Sequence, residues 1–360
     1  MQKSKSIYDA VIERGFTRRD FLRMCTALAA TMGLDFTQSE KVVKAMEEKG
    51  RVPVIWLQFQ DCTGCSESFI RSTHPTAQSV LLDYISLEYS EVLSTASGHQ
   101  LEEAMEDVIK KYDKKFILAV EGSIPDDESY LTVGGQSGKA VYEKVAKHAM
   151  AVIAYGSCST WGGIAGAKPN PTGAKAVTDF DSSDTPVLLV PGCPPISEVM
   201  TGVIAHYITF GELPEQDSQG RPKAFYRHRI HDKCNRRAYF DAGLFVESFD
   251  DEASKQGYCL YKVGCKGPTT YSSCMEMRWN GGTSNPILSG NPCIGCTEKD
   301  FWDEGPIYDR EARIPASQTT INPDKVGAAV VGVAAAGVAV HGAATILKKK
   351  HDEKNKQDKD

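Results

Sequence analysis

The sequence predicts an open, doubly wound α/β domain with a parallel sheet, then a small irregular segment rich in metal ligands, then an apolar helix. Three observations predict it. Short continuous apolar runs alternate with helical patterns up to about residue 230, as strands covered on both faces by helices do. Beyond that point the apolar runs give way to Gly, Asn and Pro interleaved with His and Cys. The stretch Val326 to Leu347 carries no acidic or basic side chain except His341.

Composition narrows the class further. A chain of 360 residues is long enough for roughly two to three domains at ~150 residues each. Hydrophobic residues at 41% and charged residues at 24% exclude a wholly disordered or fibrous chain. A net charge of -6 without a basic stripe argues against nucleic acid as a partner. Eleven cysteines are too few for a disulfide miniprotein and too clustered for incidental thiols.

The N-terminal segment reads Thr17-Arg18-Arg19-Asp20-Phe21-Leu22-Arg23, followed by the weakly apolar run Met24 to Leu34. An arginine pair before an apolar run too short to span a membrane reads as a twin-arginine export address, set at residues 1–45, with an ordinary amphipathic helix start as the alternative. No Ala-x-Ala site appears; Val43-Lys44-Ala45 comes nearest, and Cys25 lies inside the leader. That route carries folded proteins, so it points to a cofactor inserted before export.

Four apolar runs follow: Val54 to Phe59, Phe116 to Val120, Ala151 to Tyr155 and Pro186 to Val190. The first leads into Asp61-Cys62-Thr63-Gly64-Cys65, the third into Gly156-Ser157-Cys158 and the fourth into Pro191-Gly192-Cys193, whereas the second ends at Glu121-Gly122. Helical patterns cover Lys139 to Met150 and Ile196 to Phe210. Ligands of such sheets bind at the carboxyl ends of the strands. Cys62, Cys65, Cys158 and Cys193 therefore converge at one edge, as a metal or iron–sulfur site. Gly134-Gly135-Gln136-Ser137-Gly138-Lys139-Ala140 imitates a phosphate loop, but its glycine spacing is one short and no Ser or Thr follows Lys139. Neither Cys62-x-x-Cys65 nor Cys293-x-x-Cys296 precedes a His, which excludes c-type haem attachment.

The ligand-rich segment supplies His231, Cys234, Cys259 and Cys265, then Cys274, Cys293 and Cys296. So many ligands and so few strands imply a segment held together by its clusters. Zinc fits one His with three Cys, and disulfides fit an oxidising compartment. Folded export argues against disulfides, and three cysteines without a fourth ligand argue against structural zinc.

The final apolar stretch would reach roughly 33 Å as a helix, enough to cross the hydrocarbon core. Lys348-Lys349-Lys350 then places the C-terminus in the cytoplasm and the bulk outside. Ala328, Gly332 and Ala336 make a small face for packing against another membrane helix, and a buried Ala/Gly helix is the alternative. His341 within the span is either functional or hidden against a partner.

Taken together, these motifs resemble the small subunit of membrane-bound nickel–iron uptake hydrogenases. The residues that carry the resemblance are the leader, Cys62-Thr63-Gly64-Cys65-Ser66-Glu67, Gly156-Ser157-Cys158-Ser159-Thr160-Trp161-Gly162-Gly163 and Pro191-Gly192-Cys193-Pro194-Pro195. His231-x-x-Cys234, the run from Cys259 to Pro268 and Pro292-Cys293-x-Gly295-Cys296 continue it in order. The resemblance implies a flavodoxin-like domain over 50–230 in which Cys62, Cys65, Cys158 and Cys193 hold a proximal 4Fe-4S cluster. In a 231–315 iron–sulfur domain, His231, Cys234, Cys259 and Cys265 would hold a distal 4Fe-4S cluster. Cys274, Cys293 and Cys296 would hold a medial 3Fe-4S cluster, with Pro286 where a fourth ligand stands in four-iron relatives. Gly64 and Gly163 stand where oxygen-tolerant relatives carry extra cysteines. The nickel–iron centre would lie on a large-subunit partner, in a heterodimer or a dimer of heterodimers. A 326–347 transmembrane helix with a 348–360 cytoplasmic tail would anchor the chain at the periplasmic side and dock a cytochrome b or quinone-linked subunit. An exported multi-cluster ferredoxin and a zinc-stapled anchor are the competing readings.

Overall fold

The four apolar runs and one further segment form the strands of one parallel sheet: β1 (Val52–Gln58), β2 (Ile85–Ser90), β3 (Ile117–Glu121), β4 (Ala151–Tyr155) and β5 (Val187–Val190). The computed structural model describes residues 5–180, 184–303, 305, 307–308 and 323–357. Strand order is β2-β1-β3-β4-β5, every pairing parallel. This is the doubly wound order of flavodoxin-like sheets, with its switch between β1 and β3. Edge strand β2 and the helix after it are not among the elements expected from the sequence. Glu88 interrupts the apolar run of β2, so it lacks the continuous signal of its neighbours.

Register fixes where the strands end. Gln58 pairs with Glu121, Glu121 with Tyr155, and Tyr155 with Val190, so four strands finish on one line. Alternate residues serve opposite faces, as the two-residue period requires. Val54, Trp56, Ile117, Ala119, Ile153 and Leu188 enter one core. Ile55, Leu57, Leu118, Val120, Val152 and Ala154 enter the other.

That second face is covered by α5 (His99–Lys111) and α6 (Gly138–Ala146), packed through Leu101, Met105, Val141 and Val145. The first face is covered by α8 (Ser197–Phe210), which buries residues on nearly every side because a further layer lies over it. That layer is α1 (Ile7–Glu13), α2 (Arg18–Thr31) and α3 (Phe36–Glu48). Phe21, Cys25 and Leu28 of α2 join Met200, Val203 and Ile204 of α8 in the same core. Arg14 also pairs at 2.6 Å with Asp83, whose side chain is fully buried. Residues expected as a separate leader are thus packed on the domain, with Arg18 and Arg19 exposed, and the expected boundary at 45 falls inside α3.

After β1 the chain turns into α4 (Gly64–Ile70), and after β4 into α7 (Gly156–Trp161). From residue 223 to 303 it runs through short helical turns, with no strand among the described residues. A small core of Ile230, Val246, Leu260, Val263, Cys265, Ile287 and Cys293 holds this stretch. It belongs to one compact unit, Met1–Asp309. The expected end of the iron–sulfur segment at 315 lies outside the described residues.

A second unit, Arg310–Asp360, contains α9 (Pro323–Gln357). Within it Ala329–Lys348 has a mean hydropathy of 1.9 and is long and apolar enough to cross a membrane. Val331, Val333, Val338 and Val340 are all strongly exposed.

Candidate metal centres

Each expected ligand except His231 is a cysteine without a disulfide partner. The line of strand ends brings Cys62 and Cys65 beside Cys158 and Cys193. Burial raises the Cys65 thiol pKa well above its ordinary value, and Glu121, Cys158, Cys193 and Cys62 add to the shift through their charges. Burial also pushes Cys158 up to about 12. Close approach explains two glycines here. A Cβ on Gly156 would lie 2.4 Å from Cys65 Sγ, and one on Gly163 would lie 2.5 Å from Cys158 Sγ. Both have positive φ, +90° and +62° respectively, which favours glycine in any case.

A residue that the sequence pattern does not single out supports this loop. Glu121, buried at the end of β3, accepts from Cys65 N at 2.8 Å, Ser66 N at 3.0 Å and Ser66 Oγ at 2.6 Å. Trp56 Nε1 donates to it from 3.4 Å. The one available signal is an acidic residue ending an otherwise apolar strand. Nearby Asp61 is pushed up to about 7 by burial and then by the Glu121 charge.

His231, Cys234, Cys259 and Cys265 line one cavity together. Burial, then Arg237, lowers the His231 pKa, which favours the neutral imidazole that ligation needs. Phe240 meets the ring edge-on at 4.6 Å and is itself packed against Phe245 and Tyr261. Burial raises the Cys259 thiol to about 11, while the Arg236 N–H donates to Cys234 Sγ at 3.4 Å.

Cys274, Cys293 and Cys296 line a different cavity of about 510 Å³ together with Cys193, and Pro286 stands on its wall. Ser272 Oγ donates to Cys274 Sγ at 3.2 Å, and Gly295 N–H to Cys293 Sγ at 3.4 Å. Burial pushes Cys296 up to about 12. A second unforeseen residue, Arg221, anchors this stretch. Fully buried, it pairs with Asp217 at 2.8 Å and Glu298 at 3.1 Å. The rings of Tyr226 and Tyr271 lie 5.6 and 5.5 Å from its guanidinium carbon.

The donor chemistry fits iron–sulfur clusters. Buried thiols that repel one another ionise only around a strongly positive centre. Among the described residues, no three of His, Cys, Asp and Glu converge on a single ion.

Comparison with known proteins decides the family. Residues 226–308 match the C-terminal model of the NiFe/NiFeSe hydrogenase small subunit, and 62–207 match the model of the 20 Kd subunit of NADH ubiquinone oxidoreductase. The uptake hydrogenase small subunit of Azotobacter vinelandii is 50% identical over 351 residues, covering 97% of this chain and 98% of that relative. The chain belongs to the nickel–iron hydrogenase small subunits. The uptake hydrogenase small subunit of Afipia carboxidovorans is 49% identical, covering 97% of this chain and 95% of its own length. A solved Dm. baculatum [NiFeSe]-hydrogenase chain is 35% identical with a TM-score of 0.68, covering 73% of this chain and 100% of that one. As a hydrogenase small subunit, the chain is the electron-transfer part of an oxidoreductase whose catalytic site is on the large subunit.

Proposed function

We propose that the three ligand groups hold the cluster set expected for this subunit. Cys62, Cys65, Cys158 and Cys193 would bind a proximal 4Fe-4S cluster, and His231, Cys234, Cys259 and Cys265 a distal one. Cys274, Cys293 and Cys296 would bind a medial 3Fe-4S cluster. When bound, the clusters supply one-electron chemistry that links H₂ oxidation at the large subunit's nickel–iron centre to a membrane carrier, a cytochrome b or quinone-linked subunit.

The observation that carries this reading is the grouping itself. Thiols from strand ends far apart in sequence meet at one sheet edge, while the remaining ligands line two further cavities. The chain's own residues do the rest. Glu121 holds the amides of the Cys65 loop, Phe240 orients His231, and Pro286 puts a side chain without a donor atom on the wall of the medial cavity. Cys62 is exposed, so the proximal site opens toward solvent, where a large subunit would seat.

Localisation follows from the two ends. Exposed Arg18 and Arg19 serve as the twin-arginine address, and Ala329–Lys348 anchors the exported protein in the membrane. Metal analysis of the membrane-purified heterodimer tests the assignment: about 11 iron atoms should come with this chain and about one more with the partner's nickel–iron centre, with acid-labile sulfide and no stoichiometric zinc. One or two zinc atoms in a colourless chain would refute it.

A further inference from the structure

The ligand thiols define three groups without explaining what holds one group against the next. One buried hydroxyl stands at that boundary. Ser157 precedes Cys158 in the turn after β4 and is 1% exposed. Its Oγ donates to the Cys296 carbonyl and accepts the Gly192 N–H at 3.0 Å. Ser157 N–H in turn donates to the Gly192 carbonyl at 2.8 Å. Three loops meet at this residue: its own, the Pro191-Gly192-Cys193 loop and the loop that ends at Cys296. The first two carry proximal ligands and the third carries a medial ligand.

Beside this clip, the Cys193 backbone amide lies close enough to the Cys296 thiol to hold its pKa down against burial, and the two residues line one cavity. The other boundary has a similar contact, where Cys293 N–H donates to Cys265 Sγ at 3.4 Å. At each boundary, then, the backbone amide of a ligand residue of one group lies beside a sulfur of the next. What differs is the support. At the Cys193–Cys296 contact, Ser157 uses its hydroxyl as donor to one loop and as acceptor from the other.

We propose that Ser157 is a positioning residue for electron transfer, its hydroxyl fixing the Cys193 loop against Cys296 and so setting the proximal–medial junction. This rests on the ligand assignment proposed above. Removing the hydroxyl deprives a buried amide and a buried carbonyl of a partner and frees two loops to move apart. Electron tunnelling weakens steeply with separation, so a small loosening registers in rate before it registers in fold.

The test uses the purified heterodimer with Ser157→Ala, and with Ser157→Thr and Ser157→Val as a pair of equal size that differ in the hydroxyl. Rapid-freeze EPR follows how fast H₂ reduces the oxidised three-iron signal, and H/D exchange reports the partner's centre independently. The alanine and valine variants should reduce that signal about tenfold more slowly, equivalent to roughly 1.4 kcal/mol. The threonine variant should stay within about twofold of the wild type, and exchange should be unchanged in all three. Should Ser157→Ala not assemble, the threonine–valine comparison decides. Equal rates in wild type, threonine and valine forms overturn the inference alone. A wild-type heterodimer without any three-iron signal overturns the ligand assignment, and this inference with it.

Discussion

Arg221→Met removes a cation that nothing nearby can replace. The guanidinium is fully buried, bonded to Asp217 at 2.8 Å and Glu298 at 3.1 Å, and flanked by the rings of Tyr226 and Tyr271. Asp217 and Glu298 are themselves only 14% and 15% exposed, so the variant strands two carboxylates in a poorly solvated place. Breaking a buried pair from one side costs about 3–5 kcal/mol. Methionine recovers some apolar contact but neither the hydrogen bonds nor the attraction to the rings. At about 2–4 °C per kcal/mol, the apparent melting midpoint of the heterodimer should fall by roughly 6–20 °C at a fixed scan rate. Glu298 also accepts the Tyr271 amide at 2.7 Å and follows Cys296 by two residues, so iron loss on heating should begin at the medial group. Glu298→Gln in the same chain neutralises one stranded carboxylate and should recover part of the loss. A midpoint shift below about 2 °C in Arg221→Met would refute the reasoning.

Other consequences are open to direct measurement. Pro286→Cys adds a thiol to the wall of the cavity that Cys274, Cys293 and Cys296 line, so the three-iron EPR signal should give way to that of a four-iron centre; a retained three-iron signal would remove Pro286 from the site. Gly163→Ala forces a Cβ within 2.5 Å of Cys158 Sγ at a φ of +62°, and should reduce the iron content by about four atoms through loss of the proximal cluster; full iron content would contradict it. Cys25 is 1% exposed and its thiol is pushed up to about 12 by burial and then by Glu47, so iodoacetamide at pH 8 should spare it in the folded full-length chain and modify it in urea. Labelling of Cys25 at the rate of a free thiol would show that α2 does not stay packed. Deleting residues 323–357 should move the heterodimer from the membrane pellet to the supernatant without altering dye-linked H₂ oxidation, and continued sedimentation would assign the anchoring elsewhere.

The sheet strands with continuous apolar runs were legible because burial on both faces leaves no room for polar residues, as in Ala151–Tyr155, where all five are buried. Edge strand β2 was not, since Ser86, Leu87 and Glu88 are only partly covered and the run breaks. The placement of Cys62, Cys158 and Cys193 just past strand ends was legible from the apolar runs that lead into them. Packing of α1–α3 was not, because the arginine pair invited a local reading. Phe21, Cys25 and Leu28 nevertheless fall at intervals of four and three, the spacing of one buried helix face. Arg221 carried no signal at all. A single charged residue has no periodicity, and only the fold shows that its carboxylate partners come from before and after the ligand-rich segment.

Glu121 shows why such residues matter to a site read from spacing alone. Three of the four aligned strands lead into thiols, and the one between β1 and β4 leads into a carboxylate instead. A thiol there would add a fifth sulfur near the proximal group and leave the Cys65 and Ser66 amides without their acceptor. Both amides sit at the start of α4, where backbone N–H groups lack helical partners and favour negative charge. Glu121 supplies that charge from beneath, accepting three hydrogen bonds between 2.6 and 3.0 Å from Cys65 and Ser66. It thereby fixes the loop between the two cysteines of Cys62-x-x-Cys65 without occupying a ligand position. The apparent exception among the strand ends is thus the element that sets the geometry of the loop beside it.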